Sequence, residues 1–95
     1  MAKGYLIARV RVHNEDGFKK FLEMTKTLVE QYGGKVLVRS PNPEIREGNQ
    51  FGLATVIEFE NVEKARKFYE SKQYFIAKKI REVAADTDLI LVKGL

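Results

Sequence analysis

Along this chain the spacing of apolar positions switches between a period of two and the helical period, and the switches divide it into short elements. Tyr5 to Val12 alternates, with Leu6, Ala8, Val10 and Val12 on one side and Tyr5, Ile7, Arg9, Arg11 and His13 on the other, which predicts a first strand. Asn14-Glu-Asp then supplies a helix N-cap and first-turn carboxylates, and Phe18, Phe21, Leu22, Leu28, Val29 and Tyr32 follow at helical spacing. Gly33-Gly34 ends that helix, because glycine accepts the left-handed C′ backbone without a Cβ clash. Lys35 to Ser40 predicts a second strand, with Val36 and Val38 opposite Leu37 and Arg39, and Pro41 and Pro43 stop it. The connection from Pro41 to Gln50 exceeds a tight hairpin, so it is either a plain hairpin tip or part of a binding site.

Gly52 to Glu60 predicts an inner strand with Leu53, Thr55, Ile57 and Phe59 on one face and Ala54, Val56, Glu58 and Glu60 on the other. Asn61 caps a second helix carrying Val62, Ala65, Phe68 and Tyr69, Ser71 breaks it, and a fresh helical period runs through Tyr74, Ala77, Ile80, Val83 and Ala84. Asp88 to Lys93 predicts a last, apolar strand. The order βαβ followed by βαβ is the split ferredoxin-like βαββαβ plan, an α+β fold. Its four-stranded antiparallel sheet has strands one and three in the centre and the helices on one face. Leu6, Ala8, Val10, Val12, Leu53, Thr55, Ile57 and Phe59 belong under the helices. Tyr5, Ile7, Ala54 and Val56 then lie uncovered, mixed with Arg9, Arg11, His13, Glu58 and Glu60. A half-apolar open face calls for a partner, and a homodimer through it is the expectation.

The 95 residues bound one domain, 1–95, with a modest core that a second covered surface would help. The net charge of +4 permits an anionic partner, but it is spread along the chain without a like-charge run, and a solvated surface explains it as well. Without cysteine there are no disulfides, Cys–zinc sites or thiol chemistry, and one histidine leaves no metal-ligand spacing, so no metal and no cofactor are expected. The N-terminus lacks a signal-peptide apolar region and no run suffices to span a bilayer, which makes a cytoplasmic, membrane-free protein the default. The same plan underlies the RNA-recognition motif. Here Phe51 replaces its basic residue, and Leu53, Thr55 and Glu58 stand in its aromatic positions, so bases have nothing to stack on and no nucleic-acid partner is expected.

Several strings, in order and spacing, resemble a bacterial family of small proteins known only as a domain of unknown function, within the dimeric α+β barrel superfamily. They are Tyr32-Gly-Gly-Lys-Val-Leu-Val-Arg39, Glu47-Gly48, Val56-Ile-Glu-Phe59, Phe68-Tyr-Glu-Ser-Lys-Gln-Tyr74, Arg81 and Asp86-Thr-Asp-Leu-Ile-Leu-Val-Lys-Gly94. The resemblance spans nearly the whole chain and implies a ferredoxin-like monomer whose sheet packs on a second copy's sheet. Superfamily relatives include cofactor-independent monooxygenases of aromatic polyketides, muconolactone isomerase-like enzymes and haem-handling proteins. The chain departs from the family at Phe68, commonly tryptophan, and at Lys72-Gln73, usually Pro-Glu. The first change keeps an apolar wall; the second removes a carboxylate.

From these residues the expected function is binding of a small anionic or aromatic compound, or its cofactor-free conversion, in a pocket between helices and sheet lined by Tyr32, Arg39, Glu58, Tyr74 and Arg81. The alternative is a homodimerising or regulatory module without chemistry. Arg39 and Arg81 offer planar forks for an anion, or else pair with Glu47 and with Asp86 or Glu82 respectively. Glu58 is either a partly dry acid or base, or half of an ion pair with Arg9 or Arg11. Strand alternation puts it on the partner-facing side, so joining the pocket requires a bulge or a pocket opening at the sheet edge. Tyr74 earns its place by its matched position in the family and by a hydroxyl that needs a partner if buried. His13 is either a proton carrier or an exposed capping residue, with no carboxylate spaced to orient it.

Overall fold

The computed structural model describes residues 2–49 and 51–95; Met1 and Gln50, the last residue of the predicted connection, lie outside the described residues. The elements are β1 (Gly4–Val12), α1 (Glu15–Gln31), β2 (Lys35–Ser40), β3 (Leu53–Phe59), α2 (Val62–Tyr69), α3 (Lys72–Ala84) and β4 (Ala85–Lys93). The strands form one sheet in the order β2-β3-β1-β4, and every neighbouring pair is antiparallel. The central pair, the helix-covered face and the α+β ferredoxin-like architecture agree with the pattern in the chain. None of the helices is long and apolar enough to cross a membrane among the described residues.

Each predicted cap forms. The Asn14 side chain accepts from the Gly17 N–H at 3.0 Å, the Asn61 side chain from Lys64 N–H at 2.9 Å, and Gly33 takes φ 74° past the end of α1. Ser71 separates α2 from α3 by working in both directions: its hydroxyl donates to the Phe68 carbonyl at 2.9 Å and accepts from the Tyr74 N–H at 3.1 Å. The core gathers Leu6, Ala8 and Val10 of β1, Ile57 and Phe59 of β3, and the buried stripes of the helices. Phe59 and Phe68 are its largest fully buried side chains, each stabilising by about 1.5–3 kcal/mol over an exposed ring. Val12, expected under the helices, stands at the end of β1 and is 36% exposed.

Two differences from the sequence pattern shape the interior. β4 begins at Ala85 rather than Asp88, directly out of α3, because pairing of Val12 with Ala85 and Arg11 with Asp86 extends the ladder through residues of weak strand preference. The Ala84 carbonyl accepts from both His13 and Asn14 N–H groups, at 3.0 and 3.1 Å, which ties the end of α3 to the end of β1. In β2 the pairing slips between Val36, opposite Ile57, and Val38, opposite Val56. The extra residue, Leu37, makes this a bulge. Val36 therefore keeps to the helix face while Val38 turns to the open face. Arg39, opposite the buried Thr55, joins the helix side instead of lying with Leu37 as simple alternation requires.

Candidate functional site

α1 lies beside α3 rather than flat on the sheet. A Cβ added to Gly17 would meet the Ala84 Cβ at 3.0 Å, so the two helices pass closely there. The sheet beneath α1 is floored by short side chains: Ala8 and Thr55 pair directly across β1 and β3. Above them α1 presents Thr25, whose hydroxyl is turned back to the Phe21 carbonyl at 3.0 Å. The result is a cavity of about 600 Å³, walled mainly by apolar residues such as Leu6, Phe21, Val29, Val36 and Ile57. Exposed Glu23, Lys26, Glu30 and Lys35 border its solvent side.

Three of the five residues expected in a pocket meet there: Arg39, Tyr74 and Arg81 line the cavity. Arg39 reaches it from the exposed end of β2 and makes no ion pair with Glu47 or another described residue. Tyr32 is half-buried behind the core, edge-on to Phe68 with ring centres 6.1 Å apart, and does not line the cavity. Glu58 stands on the opposite face of the sheet, where its carboxylate accepts from the Tyr5 hydroxyl at 3.1 Å. The bulge that would have redirected it occurs in β2, not in β3, so it is Arg39 and not Glu58 that changes sides. That hydrogen bond raises the Tyr5 phenol above its ordinary value of 10.0, with smaller contributions from desolvation and the Glu58 charge. Arg11, a candidate partner for Glu58, bonds Asp88 at 2.9 Å. His13 is exposed. No group of three or more metal-ligating side chains gathers among the described residues.

Tyr74 and Arg81 form the polar centre of the site. They sit seven residues apart on α3, two turns along one buried stripe with Ala77 and Ala84. Tyr74 is 2% exposed and touches Phe21, Phe68 and Tyr69, with ring centres at 6.1, 4.9 and 5.1 Å. Arg81 is 5% exposed; its Nη1 donates to the Tyr74 hydroxyl at 2.5 Å, and its guanidinium lies 5.3 Å from the Phe21 ring centre. Burial pushes the Tyr74 phenol upward, opposed in part by the Arg81 charge and hydrogen bond, and the net direction is above 10.0. The phenol is thus a neutral donor with a cation behind it. Neither Asp86 nor Glu82 pairs with Arg81, and no carboxylate among the described residues lies within ion-pair distance of its guanidinium. Ring faces compensate a buried cation only partly.

A second, more polar cavity of about 460 Å³ opens at the β4 edge, bordered by Arg11, Tyr69, Lys78, Glu82 and Asp86. Arg81, Thr87 and Leu89 line both cavities. Sequence reasoning missed Thr87, since it started the last strand at Asp88. The usable signal is a lone hydroxyl between Asp86 and Asp88, on the same side of the ladder as Leu89 and Leu91 once β4 is extended.

This site sits on a chain of the ferredoxin-like α+β class. The model of the family described as Domain of unknown function (DUF1330) matches residues 3–95, and the chain belongs to that family. No curated protein gives a significant sequence match. Among solved structures, a protein of unknown function from Rhodopseudomonas palustris is similar at 20% identity, TM-score 0.80, over 99% of this chain and 83% of that one. A dimeric ferredoxin-like protein of unknown function from Jannaschia sp. CCS1 shares 8% identity, TM-score 0.76, over 95% and 97% of the two chains. SnoaB, a cofactor-independent oxygenase from Streptomyces nogalater, shares 11% identity, TM-score 0.68, over 100% and 95%.

Proposed function

We propose that this protein binds a small anionic, aromatic or similarly apolar compound in the cavity beneath α1, with Arg81 and Tyr74 receiving its anionic or carbonyl group and Arg39 near the outer end. The observation that carries the reading is the guanidinium of Arg81, nearly fully buried against a cavity without a carboxylate partner among the described residues. A cation is expensive to desolvate, and a ligand anion supplies the missing compensation. The cavity's size lies within the range of about 300–1,000 Å³ usual for ligand sites, and apolar walls with few polar groups suit a small organic molecule. The enzymatic form of this reading is a reaction in the same cavity without a bound cofactor, of the kind the fold supports in SnoaB.

The open sheet face favours a homodimer as the working unit. Ile7, Val56, Ile90 and Val92 come side by side across β3, β1 and β4, Ile90 is 56% exposed, and similar structures from several bacteria are dimeric. The test of the ligand reading is a thermal-shift and calorimetric titration with benzoate, phenylacetate and neutral indole. Saturable stabilisation by the acids, lost in Arg81→Met and weakened in Arg39→Ala, is expected. No response to any of the probes, or an Arg81→Met variant that responds like the wild type, sinks it.

A further inference from the structure

Arg81 and Thr87 line both cavities and so form the partition between the apolar space under α1 and the polar space at the β4 edge. Each holds a buried hydrogen-bonding atom without a partner among the described residues, Arg81 Nε and Thr87 Oγ1. Buried donors are seldom left unmade, so these atoms mark a place where an acceptor belongs. Both atoms are sealed from bulk water, and the residues that carry them line the two cavities. The guanidinium spends Nη1 on Tyr74, which leaves the edge formed by Nε–H and Nη2–H. Tyr74 accepts that bond, and its own hydroxyl hydrogen has no acceptor among the described residues.

We propose that this partition is a carboxylate subsite: the Nε–Nη2 edge of Arg81 takes the two oxygens of a carboxylate side by side, the Thr87 hydroxyl donates to one of them, and Tyr74 steadies the guanidinium from Nη1. The ligand's apolar body then lies under α1. This rests on the ligand reading above and narrows it to an aromatic or apolar monocarboxylic acid. The parallel fork of a guanidinium edge matches two coplanar oxygens. A neutral amide would turn an NH₂ group towards donors. A tetrahedral oxyanion puts at least one oxygen outside the guanidinium plane and matches the flat fork less well.

The test compares benzoate, benzamide and phenylphosphonate by calorimetry on the wild type, Thr87→Val and Arg81→Lys, with the Arg81 Nε–H resonance followed by NMR. Benzoate is expected to bind at least about tenfold more tightly than benzamide, because a site of buried donors rejects an analogue that cannot satisfy them. Thr87→Val, nearly the same shape, lowers benzoate affinity severalfold and leaves benzamide unchanged. Arg81→Lys keeps the charge but loses the preference for benzoate over phenylphosphonate, and the Nε–H resonance shifts on adding benzoate. If aromatic probes bind but benzoate and benzamide do so alike, or the Thr87 variant or the Nε–H resonance is indifferent to benzoate, the subsite is overturned while the ligand reading stands. If no probe binds the wild type, both fall.

Discussion

Arg81 carries a permanent charge into a nearly dry place, and its only hydrogen bond among the described residues goes to a phenol. The consequences for stability are opposite for the two partners. Tyr74→Phe removes the acceptor and strands Nη1, an expected loss of about 1–3 kcal/mol in urea unfolding. Arg81→Met keeps the apolar volume and removes the buried charge, which outweighs the stranding of the neutral Tyr74 hydroxyl, so stability should be unchanged or higher even though ligand binding is lost. In the Arg81→Met background the Tyr74→Phe loss should shrink towards zero. Equal losses in both backgrounds would show that the hydroxyl is not serving the guanidinium. Tyr74 also gives a pH signature. Its folded-state pKa is raised above 10.0, so the folded chain holds the proton to higher pH than the unfolded chain. The associated stability is fully present below pH 10 and is lost as pH rises from there through the folded value. Urea midpoints measured across that alkaline range should fall less steeply for Tyr74→Phe than for the wild type.

At the level of elements, α3 sets the site, and Ser71 sets α3. Its hydroxyl both closes α2 and caps the turn that contains Tyr74. Ser71→Ala is expected to cost about 0.5–2 kcal/mol, read from the urea midpoint, and an unchanged midpoint would remove the cap from this account. The helices and this break were legible because caps and stripes are local signals. The bulge in β2 was not. Lys35 to Ser40 alternates cleanly, and nothing in it says that Leu37 and Val38 together oppose Val56. A bulge is decided between strands, since it answers to what the partner strand offers, and here it moves Arg39 across the sheet. Extension of β4 back to Ala85 has the same origin: the pairing of Arg11 and Val12 recruits residues whose own preference for a strand is weak.

For the whole molecule, the uncovered face is the dominant feature. The proposed homodimer predicts that Ile90→Glu, at an exposed position of β4 beside Ile7, shifts light-scattering mass from dimer to monomer at micromolar concentration. A wild-type monomer under the same conditions would refute the assembly. Tyr5 and Glu58 belong to this face, joined by a hydrogen bond. The family string Val56-Ile-Glu-Phe59 therefore alternates between an outward pair, Val56 and Glu58, and an inward pair, Ile57 and Phe59.

By itself the sequence determined the element order, the caps, the two central strands and the inward set around Phe59 and Phe68, because each follows from periodicity or from a residue's own backbone chemistry. It also singled out Tyr74, Arg81 and Arg39. Only the tertiary structure decided that these three share a cavity, that Tyr32 and Glu58 do not line it, and that Thr87 does. The physical reason is that a cavity is the space left between elements. Ala8, Thr55 and Thr25 are unremarkable where they stand in the chain, and become a void only when α1 is held beside α3 above them. A buried charge is likewise invisible locally: Arg81 occurs on a helix with many cations, and its isolation appears only once the nearest carboxylates are placed out of reach.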